Sequence, residues 1–224
     1  MSINSKQTLP CPKCGQQNDV TIWNMITAHD SPDLKKDLLS GRVNFFVCGS
    51  CGYRALMPNA LLYHDIDKKL LFSFSPCDDP AEAQELFEKV IETSEESGEL
   101  KKLEGYNLRF ITNINDLMEK IITFDAELND KVVEVLKIMI LSQDPDTAGQ
   151  RECRLGKNDG DELEFMVRDR KEEKIYTCRV PMATYDTVHK QVMESGVKPY
   201  SFNWEMVDNF YASRILNGFN NIQR

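Results

Sequence analysis

No apolar run in this 224-residue chain approaches the roughly 20 residues that cross a bilayer. The nearest, 132–141, is interrupted by Glu134 and Lys137. The first ten residues carry a single basic residue, Lys6, and no apolar stretch of the secretion-signal kind. Positive charge is also short: 27 Lys and Arg face 36 Asp and Glu, for a net charge of -9. Residues 1–77 carry +2 of this and the remainder -11. Such a balance disfavours extensive tracking of a phosphate backbone by the whole protein. Neither a Walker phosphate loop nor a dinucleotide-binding glycine fingerprint occurs, so nucleotide chemistry gains no support. Histidine is scarce, with three in all. These absences leave a soluble, cytoplasmic protein as the expectation.

Cysteine, in contrast, is concentrated. Cys11-Pro12-Lys13-Cys14-Gly15 and Cys48-Gly49-Ser50-Cys51-Gly52 each leave two residues between their sulfurs. Together they supply the four soft thiolates of a tetrahedral zinc site. Cys11, Cys14, Cys48 and Cys51 are therefore the expected ligands of one structural zinc ion, with iron the principal competitor for a sulfur-rich tetrahedral site. Glycine after each second sulfur permits a backbone unfavourable to residues with a β-carbon. A four-thiolate shell leaves no position for a reacting water, so the site reads as structural rather than catalytic. Thiol exchange at Cys11 and Cys14 has the right spacing, but it would leave the second pair unexplained. Cys77, Cys153 and Cys178 lie far apart, which fits a reducing compartment better than a disulfide scaffold.

The 33 residues between Cys14 and Cys48 are too many for an economical structureless loop. They read as a strand over 20–27, a helix starting at Asp30 or Ser31 and stopped by Gly41, and a strand over 43–47. Short strands are expected over 53–57, 61–64 and 70–74, then a helix over 81–93. A single apolar stripe runs from Ile114 to Leu141, either as one helix or as two divided at Asn129-Asp130. Two or three antiparallel strands are expected between 151 and 180, and helices near 182–193 and 204–216. The fold class is α+β: an elaborated N-terminal four-cysteine zinc ribbon, 9–77, followed by an acidic region of amphipathic helices and antiparallel strands, 78–224.

The two knuckles, their long spacing, Tyr53 and the helical segment 115–141 with Asp116-Leu117-Met118-Glu119-Lys120-Ile121 and Phe124 resemble the bacterial and archaeal CpXC domain family. The resemblance extends over roughly the first 130 to 140 residues. It implies metal binding and supplies no catalytic residues to transfer.

No catalytic constellation emerges elsewhere. His29 and His64 read as surface or packing residues, and Asp30, Asp33, Asp65 and Asp67 as turn and helix-start residues. His189 and Cys178 lack a third orienting group. The expected function is a zinc-stabilised cytoplasmic module for protein interaction or regulation, binding a protein partner or a second copy of itself, without a membrane role. Nucleic-acid binding is the alternative, with Trp23, Phe45 and Phe46 as stacking surfaces and Lys13, Lys35, Lys36 and Arg42 on phosphate. Net charge disfavours it, and alternating strands call for these aromatics in the core between sheet and helix rather than on a binding surface.

Overall fold

Period-two burial dominates the first part of the chain. In β5 (Leu61–Asp65) and β6 (Leu70–Phe74) every second side chain is buried, as strands with one covered face require. β2 (Gln17–Thr27) sends Ile22 and Ile26 inward. The computed structural model describes residues 1–200 and 203–222, the side chains of 99 and 219–222 aside. The last two residues of the expected acidic region, 223–224, lie outside the described residues. Among those described, six helices and three sheets form a mixed α+β structure.

The chain divides into two compact units, Met1–Met118 with Tyr200 and 203–205, and Glu119–Pro199 with Met206 onward. The first holds a five-stranded sheet in the order β1-β2-β5-β6-β7, where β1 is Ile3–Pro10 and β7 is Asn107–Ile111. Pairing is antiparallel for β1–β2 and β5–β6 and parallel for β2–β5 and β6–β7. Parallel neighbours need long crossovers. The first crossover carries α1 (Pro32–Leu39) and a hairpin of β3 (Phe45–Val47) and β4 (Arg54–Leu56); the second carries α2 (Pro80–Ser97). Pro32 opens α1, and Gly41, at a φ of 67°, follows its end. Asp79 caps α2, its carboxylate accepting from the backbone N–H of Ala81 and Glu82.

Two strands escape the sequence pattern. β1 is an exposed edge strand with little apolar alternation, defined by its ladder with β2. β7 contains Arg109, fully buried, whose guanidinium donates to Glu205 at 2.9 Å and to the Leu108 carbonyl at 3.0 Å. Trp204, expected in a helix, donates to the Ser94 hydroxyl at 2.8 Å. The last helix, α6 (Asn209–Ile222), starts beyond it, where Asp208 accepts from the Tyr211 N–H.

In the second unit β8 (Arg151–Asn158), β9 (Glu162–Asp169) and β10 (Lys174–Pro181) form an antiparallel sheet in the order β10-β9-β8. α4 (Asp130–Leu141), α5 (Met182–Glu194) and α6 supply its helices. The 114–141 stripe is two helices: α3 (Ile114–Asp125), which begins in the first unit and ends in the second, and α4. Asn129 caps α4 by accepting from the Lys131 N–H. Val132, Leu136, Leu155, Phe165 and Val192 lie in one buried cluster.

Between α3, α4 and β8 the second unit also buries charge. Glu119, Lys120, Asp130, Glu134 and Lys137 are each at most 5% exposed. Lys137 Nζ lies 2.8 Å from Glu119 and 3.0 Å from Glu134; Lys120 Nζ lies 3.3 Å from Asp130 and 3.5 Å from Glu134. The Leu155 N–H donates to Glu119 at 2.6 Å.

Candidate metal centre

Both cysteine pairs sit in hairpin turns of identical build. The first joins Pro10 of β1 to Gln17 of β2, and the second joins Val47 of β3 to Arg54 of β4. In each loop the leading cysteine N–H donates to the carbonyl five residues on, Cys11 to Gln16 at 2.9 Å and Cys48 to Tyr53 at 2.8 Å. The glycine after the second cysteine donates back to the first: Gly15 to Cys11 at 2.9 Å and Gly52 to Cys48 at 3.0 Å. That return bond needs a left-handed residue, and Gly15 and Gly52 have φ of 75° and 69°. The two turns thus hold four sulfurs toward one point.

All four Sγ atoms lie within 4.8 Å of one another. Cys11 and Cys51 are 3.6 Å apart, as are Cys14 and Cys48. A disulfide needs about 2.05 Å. Four sulfurs at about 2.3 Å from a central tetrahedral ion stand about 3.8 Å apart, so the spacing fits a shared metal. The four cysteines are therefore positioned to hold a metal ion. Cys11 and Cys48 are buried and Cys14 is exposed, which places the cluster at the margin of a small core containing Ile22, Phe46 and Met57.

Electrostatics divide the sulfurs. Cys48 accepts backbone hydrogen bonds from Cys51, the larger influence, and from Ser50, and its thiol is lowered to about 6. At Cys14 the Gln16 N–H pulls downward, but the sulfurs, Cys51 foremost, and burial prevail, pushing it up to about 12. Four thiols this close cannot all ionise without a cation among them.

Asn18 was not legible as part of the centre. Its amide donates to the Gln16 carbonyl at 2.7 Å and to Cys48 Sγ at 3.7 Å, while its oxygen accepts from the Gly49 N–H at 3.0 Å. One side chain therefore ties the first knuckle to the second. Asn44 works similarly behind it, pairing its amide with the Trp23 backbone in both directions at 2.7 and 2.9 Å. Buried and at a φ of 53°, it staples the second hairpin to β2. A lone asparagine carries no sequence signal of either role.

A family model described as CpXC protein matches residues 9–137. The chain belongs to the CpXC family. No curated protein and no solved structure matches it. The matched CpXC segment takes in both knuckles, Asn18 and Asn44 and runs through most of α4.

Other residues weighed from sequence are scattered. Phe46 is buried and packs against Tyr53, Phe45 is partly exposed, and Trp23 is half-buried. Lys35 lies 3.5 Å from Asp65, Lys36 2.9 Å from Asp33 and Arg42 2.7 Å from Asp37; Lys13 is exposed. His29 pairs with Asp67 at 2.9 Å, and His64 meets the Tyr106 hydroxyl at 3.2 Å. His189 stacks on Tyr185, Cys153 is buried, and Cys178 packs at the edge of the second unit's core. Among the described residues no helix is long and apolar enough to cross a membrane.

Proposed function

We propose that this CpXC protein is a zinc-stabilised cytoplasmic module for protein interaction or regulation. Cys11, Cys14, Cys48 and Cys51 bind one structural zinc ion that locks the 9–77 ribbon, while the 78–224 region supplies an acidic surface for a protein partner. The four-sulfur cluster carries this reading, with its 3.6 Å spacings and no fifth protein donor grouped with it among the described residues. A filled tetrahedral shell gives zinc a structural role. Three of the four cations weighed for phosphate contact already face carboxylates, which supports a protein rather than a nucleic-acid partner.

Elemental analysis of protein purified under reducing conditions tests the metal. One zinc per chain is expected, with Cys48→Ser losing it and loosening residues 9–75 in hydrogen exchange. Iron in its place, or metal affinity unchanged in Cys48→Ser, overturns the assignment. Native pull-down with solution mass measurement tests the second half; a monomer that recovers no protein partner refutes it.

A further inference from the structure

The first unit carries a half-open cavity of about 420 Å³, within the roughly 300–1,000 Å³ range of ligand pockets. Leu38, Val43, Leu61 and Phe74, all buried, form its apolar lining. Asp78 and Glu82, both exposed, stand on its wall near the start of α2. Among the described residues no lysine, arginine or histidine lines it. The cavity combines an apolar floor with uncompensated negative charge.

Its wall also opens onto apolar surface. Leu56 lines the cavity and is 44% exposed. It stands opposite Phe45 in the β3–β4 register, and Phe45 and Val47 share the outward face of that hairpin at 37% and 49% exposure. Phe46, opposite Ala55 in the register, points the other way, into the core beside the cysteines. An acidic, half-apolar cavity therefore continues, through Leu56 and Phe45, into the outward face of the hairpin that holds Cys48 and Cys51, where exposed Arg54 stands opposite Val47 at the far end from the cavity. A small molecule filling the cavity would leave that face uncovered, whereas a polypeptide segment covers both.

We infer that this cavity and the outer face of the β3–β4 hairpin form one docking site for a partner polypeptide that presents apolar side chains beside a lysine or arginine. The inference rests on the interaction reading above and locates it. The partner's apolar residue enters between Leu38 and Phe74, its cation faces Asp78 and Glu82, and a neighbouring apolar residue covers Phe45 and Val47. Charge complementarity chooses the partner's sign, and the buried apolar floor supplies the anchor pocket that concentrates binding energy at interfaces.

A phage-displayed random dodecapeptide library, selected on the full-length metal-loaded protein, tests the site. Enriched peptides are synthesised and their affinities measured by fluorescence anisotropy on wild type, Asp78→Lys with Glu82→Lys, Leu56→Asp and, as a control in the other unit, Ile175→Asp. All four positions are exposed, so each variant should keep its zinc and circular dichroism. Enriched sequences should combine apolar residues with lysine or arginine, lose at least tenfold affinity to both cavity variants and ignore Ile175→Asp. Binders equally tight on both cavity variants refute this site while leaving the interaction reading standing. No enriched binder at all, together with an empty native pull-down, refutes both.

Discussion

Replacing Lys137 by methionine keeps the length of the side chain and removes one charge from the buried network of the second unit. Three carboxylates, Glu119, Asp130 and Glu134, there face three cations, Lys120, Lys137 and Arg154, the last at 3.6 Å from Glu119. With Lys137 gone, Glu119 keeps the Leu155 N–H and Arg154, but among the described residues the cation left to Glu134 is Lys120, at the longer distance of 3.5 Å. Removing one partner of a buried pair costs about 3–5 kcal/mol, because the remaining charge is uncompensated. Against a total stability of about 5–15 kcal/mol this is a large loss. Burial already raises the Glu134 carboxyl above its ordinary value, and Lys120 and Lys137 oppose that rise. Losing Lys137 should raise it further. Stability linked to a raised carboxyl is full below its unfolded pKa and lost as pH rises through the folded one. The Lys137→Met deficit should therefore be larger at pH 8 than at pH 5.

The two units offer separate reporters. Both tryptophans, Trp23 and Trp204, belong to the first unit, so their fluorescence follows that unit. Cys153 belongs to the second; it is 5% exposed, and burial pushes its thiol up to about 12. It should resist alkylation until the second unit opens. Urea titration read by Cys153 labelling should show the 3–5 kcal/mol loss, of order, in Lys137→Met. Replacing Glu134 and Lys137 together by methionine should recover most of it, since apolar pairs often substitute for buried ion pairs. A single-variant cost under about 1 kcal/mol, the range of exposed pairs, or a double variant worse than the single, would refute the account of a dry, compensating network.

Asn18→Ala should weaken metal binding about tenfold or more in chelator competition without changing the stoichiometry, because it removes the strut between the knuckles; an unaltered affinity would show that the hairpins need no tie. The two histidines of the first unit, His29 and His64, should titrate on opposite sides of 6.5 in NMR. His29 is raised, first by its hydrogen bond to Asp67, and His64 is lowered by desolvation. The His29 contribution to stability is present at low pH and lost as pH rises through its folded pKa, whereas that of His64 is lost as pH falls through the unfolded value toward the folded one. Asp67→Asn should return His29 toward 6.5, and coincident titrations would contradict both contacts.

Much of the first unit was readable because local rules and tertiary demands agree there. Pro32 and Gly41 bracket α1, and the cysteine spacing builds two equivalent turns; in the second unit Asn129 likewise divides the long stripe. The misses arise where long-range pairing decides. β1 is a strand because β2 offers it a ladder, and β7 because β6 does, with Arg109 buried against a glutamate 96 residues away. The charges of α3 and α4 interrupt an apolar pattern in sequence, yet they face inward because each finds an opposite charge from a neighbouring turn or helix. Asn18 and Asn44 are one-residue tethers whose partners are backbone groups, which leave no trace in composition.

The CpXC match ends at residue 137, inside α4, and the packing on either side of that point predicts how much of the chain the family segment needs. Val132, Val133 and Leu136 lie within the match and are at most 2% exposed, in a cluster whose Leu155, Phe165 and Val192 lie beyond it. Exposing three such side chains costs about 5–9 kcal/mol at 1.5–3 kcal/mol each, comparable with a whole domain's stability. Glu119 would also lose the Leu155 N–H and Arg154. In the first unit, Arg109 would lose Glu205 and Ser94 would lose Trp204, both from 203–205. A 1–137 fragment should consequently bind zinc at its knuckles, whose ligands and tethers are all local, while residues 107–137 exchange their amide hydrogens freely or drive the fragment to self-associate. Protected amides over 119–137 in a monomeric fragment would show that the helix pair and its buried charges are stable without the β8–β10 sheet, and would sink the argument.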